Sequence, residues 1–393
     1  MAYLYVVILC LVGLGGFEPP TSPLSGVRSN QLSYRPRHVP GSIKLESSQG
    51  RVLYARTLVF QSFCLLDCRL LRQVIQIAIL FSSIHTLRMR IADQEIITRL
   101  ASGSSIPDDP DVQEMLSALD IAVYQKDSSL YLSPSMELLS IDRISALVQQ
   151  DVLIETYLSI DSTNRYLMEE PAKKNQIKIC LSEQQTAGKG RRGRNWVSPF
   201  GKNIYMSMGK VFEKPMADLE GLSLVVGMQV VKTLRGFGLE DVYLKWPNDI
   251  ILGKGKLAGI LIELSLVNRK CVYAVLGIGI NFEMNEQQSQ SIDQPWSAIK
   301  SVASLSRNEV AGTLINHLLE RLVIFEQFGF STFRDDWNSL NLYFGKNVCV
   351  HQGDEVIDGI DAGVDEKGNL LLRVGSELMT FNAGQVSLRP SIG

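Results

Sequence analysis

Between residues 188 and 196 the chain reads Gly188-Lys189-Gly190-Arg191-Arg192-Gly193-Arg194-Asn195-Trp196, four cations spaced by three glycines and closed by an aromatic. Glycines let a backbone curl and approach a ligand closely. Arginine forks match phosphate or carboxylate oxygens. The simplest ligand is a nucleotide phosphate chain or a mixed anhydride, with a solvated basic loop as the bland alternative. The formal G-x-G-x-x-G at Gly188, Gly190 and Gly193 is not a dinucleotide fingerprint, because that fold needs a helix directly after the third glycine. Here Trp196-Val-Ser-Pro-Phe-Gly201 follows, which cannot start such a helix. No G-x-x-x-x-G-K-S/T occurs.

A second group of reactive types lies further on: Lys245-Trp246-Pro247-Asn248-Asp249, then Lys256 to Glu263 (KLAGILIE), then Gly277 to Phe282 (GIGINF). The elements that must position them are short. Strands are predicted at Ile177–Leu181, Asn203–Met208, Val242–Lys245, Ile250–Leu252 and Ala274–Leu276, with a turn at Gly253–Gly255. Each apolar run is bounded by Gly, Pro, Asn or Asp, the mark of buried strands with chemistry at their ends. The basic loop joins two of these strands.

Taken together, these residues resemble the biotin–protein ligase family, specifically the bacterial biotin ligase/repressor. The matching segments are DSTN (Asp161–Asn164), EQQTAGKGRRGRNW (Glu183–Trp196), SPFGKNIYMSM (Ser198–Met208), KWPND (Lys245–Asp249), KLAGILIE (Lys256–Glu263) and GIGINF (Gly277–Phe282). A single such motif is weak; six in family order, from about residue 150 to the C-terminus, are specific. The resemblance implies an α+β fold: a mixed-sheet, class II synthetase-like catalytic domain, a C-terminal SH3-like barrel and an N-terminal winged-helix-like domain that is truncated here. It implies ATP, biotin and Mg²⁺ as cofactors, and biotinyl-5′-AMP as the intermediate. Bringing a carboxylate beside an α-phosphate requires cations to offset the repulsion and the charge developing on phosphorus. The absence of a G-x-S-x-G elbow and the presence of only four histidines fit chemistry without a covalent enzyme intermediate.

By the same resemblance, Ser162, Thr163, Asn164, Gln185, Lys189, Gly190, Arg191, Lys256, Gly259 and Gly277 meet biotin. Arg191, Arg194, Trp196, Lys245, Asn248, Asp249 and Asn281 handle the nucleotide. Lys256 and Arg191 are the catalytic pair. Each role has a plain structural alternative. Asp161 or Ser162 could cap the helix predicted at Asn164–Glu170. Trp196 could be core. Asp249 could pair with a lysine, Lys256 could be an exposed turn residue, and the glycines could mark bulges. The family usually has Arg at the position of Lys189; lysine keeps the charge and loses the bidentate fork.

At 393 residues, with 39 Lys+Arg against 41 Asp+Glu, the chain has room for two or three domains and no global charge argument for nucleic acid. Cys10, Cys64, Cys68, Cys180, Cys271 and Cys349 show no zinc spacing, and an ATP-using enzyme implies a reducing cytoplasm. Residues 1–88 read as a non-domain extension. Met1–Gly16 is apolar yet too short to span a bilayer, and Gly16–Pro36 mixes Pro, Ser, Gly and Arg without periodicity. Met89 then lies nearer the true start; a disordered or membrane-associated extension is the alternative.

Residues 89–150 occupy the place of a winged helix-turn-helix. Helices are predicted at Ile96–Ala101 and Val112–Leu119, and a two-stranded wing at Ile121–Leu132. One helix is missing, because only Ser102–Pro110 lies between. From Asp108 to Gln150 eight acids face two bases, Lys126 and Arg143. A DNA reader wants the opposite, so operator DNA is doubtful. The catalytic domain is assigned to 151–335 and the barrel to 336–393. A helix at Arg307–Phe328 carries Leu314, Leu318, Leu322 and Phe325 on one face. Barrel strands are expected at Lys346–His351, Asp354–Val364, Leu370–Val374 and Glu377–Asn382. The expected function is biotin–(acetyl-CoA-carboxylase) ligase, with the biotin carboxyl carrier protein as partner and no membrane. The alternatives are a bifunctional ligase that also represses biotin genes with biotinyl-AMP as corepressor, and a lipoate-type ligase. A homodimer through sheet edges is left open.

Overall fold

The computed structural model describes residues 42–46, 52–56, 93, 95–119, 121–133, 136–353, 355–384 and 386–390. The expectations for Met1–Gly16, Gly16–Pro36 and Met89 lie outside these residues. The chain divides into two units, Met1–Leu80 and Phe81–Gly393. In the first, β1 (Ser42–Glu46) pairs antiparallel with β2 (Val52–Arg56). The sequence predicts no element there, because each five-residue run is too short for periodicity to mark.

The second unit begins with α1 (residues 95–101), β3 (Ile106–Pro107) and α2 (Pro110–Ala118). Asp109 caps α2 by accepting from the Asp111 and Val112 amides, and Pro110 opens it where no amide is needed. The expected wing forms as β4 (Val123–Lys126) and β5 (Ser129–Leu132), joined by β3 into a sheet of order β3-β5-β4. Residues 102–109 hold no helix; two of them form β3 instead. The small core of Ile97, Leu100, Ile106, Leu116, Ile121 and Leu130 also takes in Phe200, from the segment after the basic loop.

After α3 (Ile141–Leu147), seven strands build a mixed sheet: β6 (Leu153–Tyr157), β7 (Lys178–Ser182), β8 (Ile204–Phe212), β9 (Val242–Lys245), β10 (Asp249–Leu252), β11 (Gly255–Asn268) and β12 (Cys271–Ile280). Their order is β6-β7-β8-β12-β11-β10-β9, with only the β6–β7 pair parallel. Strand side chains alternate faces. Leu276, Ile278 and Ile280 of β12 therefore join Met206, Met208, Ala258 and Ile260 in the main core. That core is covered by α5 (Leu222–Gly236) and α7 (Arg307–Phe328). Tyr273 and Val275 face the other way, with Cys180, and meet Leu167 of α4 (Thr163–Glu169). Gly277 and Gly279 continue that second face and leave it open at the strand ends.

A short helix α6 (Glu286–Ser289) follows β12, and α8 (Arg334–Leu340) leads to the C-terminal domain. This SH3-like domain is a five-stranded antiparallel sheet of β13 (Asn347–Gln352), β14 (Glu355–Val364), β15 (Leu370–Val374), β16 (Glu377–Phe381) and β17 (Val386–Pro390). Its order is β16-β15-β14-β13-β17. The last strand is one the sequence does not predict; it is held by pairing with β13, not by its own pattern. Trp246 ties the domain to the catalytic sheet by donating its indole N–H to Gly368 O at 3.0 Å.

Candidate active site

Register assembles the floor. Ser207 of β8 lies opposite Gly277 of β12, and Gly277 lies opposite Leu261 of β11. Gly279 pairs with Gly259 in the same sheet. The glycines are there because other groups sit where a Cβ would be. A methyl built on Gly277 would lie 2.2 Å from Asn164 Oδ1, and one on Gly279 2.5 Å from Trp196 Cε2. On Gly259 it would meet Trp196 Cζ3 at 3.0 Å. Gly259 and Gly279 thus make a flat seat for the Trp196 indole.

The polar end is the start of α4. Ser162 caps it, its hydroxyl accepting from the Arg165 amide. Thr163 donates its amide to Gln185 Oε1 at 3.0 Å, and its hydroxyl lies 3.2 Å from the same oxygen. Gln185 Nε2 donates to Ser198 Oγ at 3.2 Å. Ser207 Oγ lies 2.6 Å from Asn164 Oδ1 and 2.7 Å from Thr163 Oγ1.

The cationic end is the basic loop and the mouths of β10 and β11. The Trp196 amide donates to Gly188 O at 2.9 Å and the Gly190 amide to Arg194 O at 2.7 Å, so the loop closes on itself. Arg192 has φ 57°, in the left-handed region. Arg191 donates to Asn248 Oδ1 at 2.9 Å and to Ala383 O of the C-terminal domain. Asn248 is fixed in turn by donating to Ile260 O at 2.8 Å. Lys256 Nζ lies 2.7 Å from Asp249 Oδ1, both side chains 18% exposed, and 5.4 Å from the Trp196 ring centroid. Burial pushes Lys245 below the usual lysine range, against the pull of Asp249. Burial and the neighbouring Arg192 also push Arg191 down. An anion entering here would relieve both.

Two clefts share this end. The first, of about 480 Å³, is lined by all ten residues predicted for biotin: Ser162, Thr163, Asn164, Gln185, Lys189, Gly190, Arg191, Lys256, Gly259 and Gly277. The second, of about 890 Å³, is lined by Arg191, Arg194, Trp196, Lys245, Asn248 and Asp249, and also by Arg389. Asn281 stands apart from both. It is buried, donates to Lys256 O at 3.1 Å, and borders a third hollow with Trp196 and Trp296. The sequence did not point to Ser207, Glu263, Trp296 or Arg389. Ser207 carried a usable signal, a hydroxyl inside the apolar run IYMSM; Trp296 and Arg389 arrive from distant segments and carry none. Among the described residues no group of three His, Cys, Asp or Glu side chains could hold a metal by itself.

Residues 157–281 match the biotin/lipoate A/B protein ligase family, and residues 343–389 match the biotin protein ligase C-terminal domain. The bifunctional ligase/repressor BirA of Escherichia coli is 39% identical over 231 residues, 58% of this chain and 72% of that protein. This chain belongs to the biotin–protein ligase family. It is an ATP-dependent ligase of that family. A second relative, the biotin–(acetyl-CoA-carboxylase) ligase of Mycobacterium tuberculosis, is 32% identical over 247 residues, 61% of this chain and 88% of its own. Among solved structures, the biotin protein ligase from Aquifex aeolicus in complex with biotin and ATP is 28% identical with a TM-score of 0.52. It spans 61% of this chain and 99% of that one. In this ligase, no helix among the described residues is long and apolar enough to cross a membrane.

Proposed function

We propose that the chain joins biotin to ATP, forming biotinyl-5′-AMP and diphosphate, and then passes the biotinyl group to a lysine of the biotin carboxyl carrier protein of acetyl-CoA carboxylase. The observation that carries this reading is the position of Lys256, which lines both the polar-ended cleft and the cationic one. Its ammonium stands where a carboxylate from the first cleft would meet an α-phosphate from the second. The carboxylate oxygen forms a bond to phosphorus as the bond to diphosphate breaks; the acceptor lysine nitrogen then displaces AMP from the acyl carbon. Lys256, Arg191 and Lys245 offset the anionic charge in the first step. The apolar floor with hydroxyl and amide groups at one end suits a urea ring on an aliphatic tail.

Mg²⁺ fits this arrangement. It takes one or two carboxylates together with phosphate and water oxygens, rather than a cage of protein ligands. Asp249, bordering the second cleft, is the group that would share it with the nucleotide, and when bound the ion neutralises phosphate charge. The hollow lined by Trp196, Asn281 and Trp296 offers aromatic faces on which the base would stack. The reaction belongs in the cytoplasm, where ATP is supplied.

Repression is not part of this proposal. Residues 102–109 hold a turn and the two-residue β3 but no helix, which leaves the N-terminal module one helix short, and Asp109, Asp111 and Glu114 lie at or on α2. Purified protein with ATP, biotin and Mg²⁺ should release diphosphate only when biotin is present; equal release with lipoate or octanoate would overturn the substrate. Salt-sensitive, biotin-dependent binding to a palindromic operator in an anisotropy titration would restore the bifunctional reading.

A further inference from the structure

Asn164 lines the first cleft, yet its side chain is fully engaged within the protein. Its Nδ2 donates to Glu263 Oε2 at 2.8 Å and to Leu261 O at 3.2 Å. Its Oδ1 accepts from Ser207. Asn164 and Ser207 are both buried. An asparagine side chain offers two donors on one atom and an acceptor on the other, so its rotation by a half-turn reverses what each neighbour meets. A carboxylate is acceptor-only, and it holds the Nδ2 side toward itself. Glu263 therefore settles which way Asn164 faces.

The consequences run along a chain of single-proton groups. With Asn164 Oδ1 facing it, the Ser207 hydroxyl donates there. Ser207 has one proton and Asn164 Oδ1 takes it, so the proton across the 2.7 Å to Thr163 Oγ1 must come from Thr163, which then turns it away from the more distant Gln185 Oε1 at 3.2 Å. From the other end, Ser198 Oγ donates to Trp196 O at 2.9 Å and so accepts from Gln185 Nε2. That turns Gln185 Oε1 toward Thr163. The result is two acceptors on the cleft wall, Thr163 Oγ1 and Gln185 Oε1, neither with a proton pointing out. Two acceptors match the two N–H groups of a cyclic urea.

We propose that Glu263 is a positioning residue that sets the hydrogen-bond polarity of the biotin end of the cleft through Asn164 and Ser207. The proposal rests on the reading of this cleft as the biotin site. Without the carboxylate, Asn164 can turn its Nδ2 to Ser207. Ser207 then donates to Thr163, and the Thr163 proton is sent to Gln185 or into the cleft, where it opposes a urea N–H.

The test is steady-state and single-turnover kinetics on the full chain carrying Glu263→Gln, Glu263→Met, Ser207→Ala and the double change Glu263→Met/Ser207→Ala. Glu263→Met should raise the KM for biotin at least about tenfold, the effect of one mismatched buried hydrogen bond. The KM for ATP and the single-turnover rate at saturating biotin should stay within about threefold on the same scale. Glu263→Gln still offers an oxygen to Asn164 and should restore biotin KM to near wild type. Ser207→Ala cuts the same relay, so it should act like Glu263→Met, and the double variant should be no worse than either. Additive effects, equal rises in both KM values, or an unchanged biotin KM in either single variant would overturn the relay. If Glu263→Met does not fold, Ser207→Ala alone decides. A wild-type chain that releases diphosphate without biotin would instead overturn the site reading beneath it.

Discussion

Placing a methyl group on Gly279 tests whether the Trp196 seat belongs to ligand binding or to the core. The added carbon would lie 2.5 Å from Cε2, 2.6 Å from Nε1 and 2.7 Å from Cζ2 of the Trp196 indole. Ordinary contact begins near 3.5 Å, so a rigid ring must move by roughly 1 Å. Gly259 lies beside Gly279 under the same ring, and a Cβ built there would already meet Trp196 Cζ3 at 3.0 Å and Lys256 Cε and Nζ at 3.1 and 3.3 Å, so the ring cannot escape by sliding toward that strand. Overpacking of this kind costs about 1–3 kcal/mol, or roughly 5- to 150-fold in an equilibrium. Trp196 is on a loop, so the cost should fall on loop closure and not on folding. Gly279→Ala should therefore weaken both biotin and ATP, because Trp196 lines both clefts. The melting temperature should move by less than about 2 °C, whereas a fully folding-coupled loss of about 1–3 kcal/mol would shift a domain of this size by about 2 °C or more. Calorimetric titration with each ligand, beside a thermal melt, reads this directly. Gly236→Ala is the control: nothing lies within 4 Å of its Cβ position, and it should be neutral or slightly stabilising. Unchanged affinities in a folded Gly279→Ala protein, or a large loss of melting temperature with binding intact, would refute the ligand-linked seat.

Lys256→Ala should slow adenylate formation by about 100-fold or more while sparing transfer from added biotinyl-AMP, because it removes charge stabilisation only where phosphorus is attacked; single-turnover assays of the two half-reactions separate these. Arg191→Gly removes the contacts to Asn248 and Ala383 that hold the loop, so the intermediate should escape and biotinylate bystander proteins, seen by blotting. Arg307→Met strands Glu183, its ion-pair partner at 2.7 Å with both side chains 3% exposed. It should cost about 3–5 kcal/mol in denaturant titrations, with Arg307→Met/Glu183→Met recovering part of the loss. Burial raises the pKa of Glu137, but hydrogen bonds from Ser306, Asn308 and Arg307 and the charge of Arg143 outweigh it, leaving a net depression below 4.5. Its stabilisation is then present above 4.5 and is lost as pH falls through the lower folded value; Glu137→Gln should flatten the acid limb of a melting-temperature profile. Starting the chain at Met89 should leave ligase activity unchanged, since Met1–Leu80 forms a separate unit; a large loss of diphosphate release would show otherwise.

Much of this molecule was written locally. Short apolar runs bounded by Gly, Pro, Asn or Asp located β7, β8, β9, β10 and β12 within a few residues, because a buried strand must be apolar and its end must not be. The α7 helix spans Arg307–Phe328 as its periodicity predicts. The N-terminal module lacks a helix where two prolines and two aspartates leave no room for one. What the sequence alone did not decide is register. Whether Ser207, Gly277 and Leu261 stand in one row depends on how three strands slide against one another, and a slip of one residue would turn the slipped strand's side chains to the opposite face. The same holds for the acceptor of Asn164. Glu263 is 99 residues away in sequence, and only the pairing of β11 with β12 puts its carboxylate over the α4 end. The C-terminal partner of Arg191 lies 192 residues away. Local chemistry specifies which groups an element can offer; the packing of one face against another decides which of those groups meet, because burial forces a single register on the whole sheet.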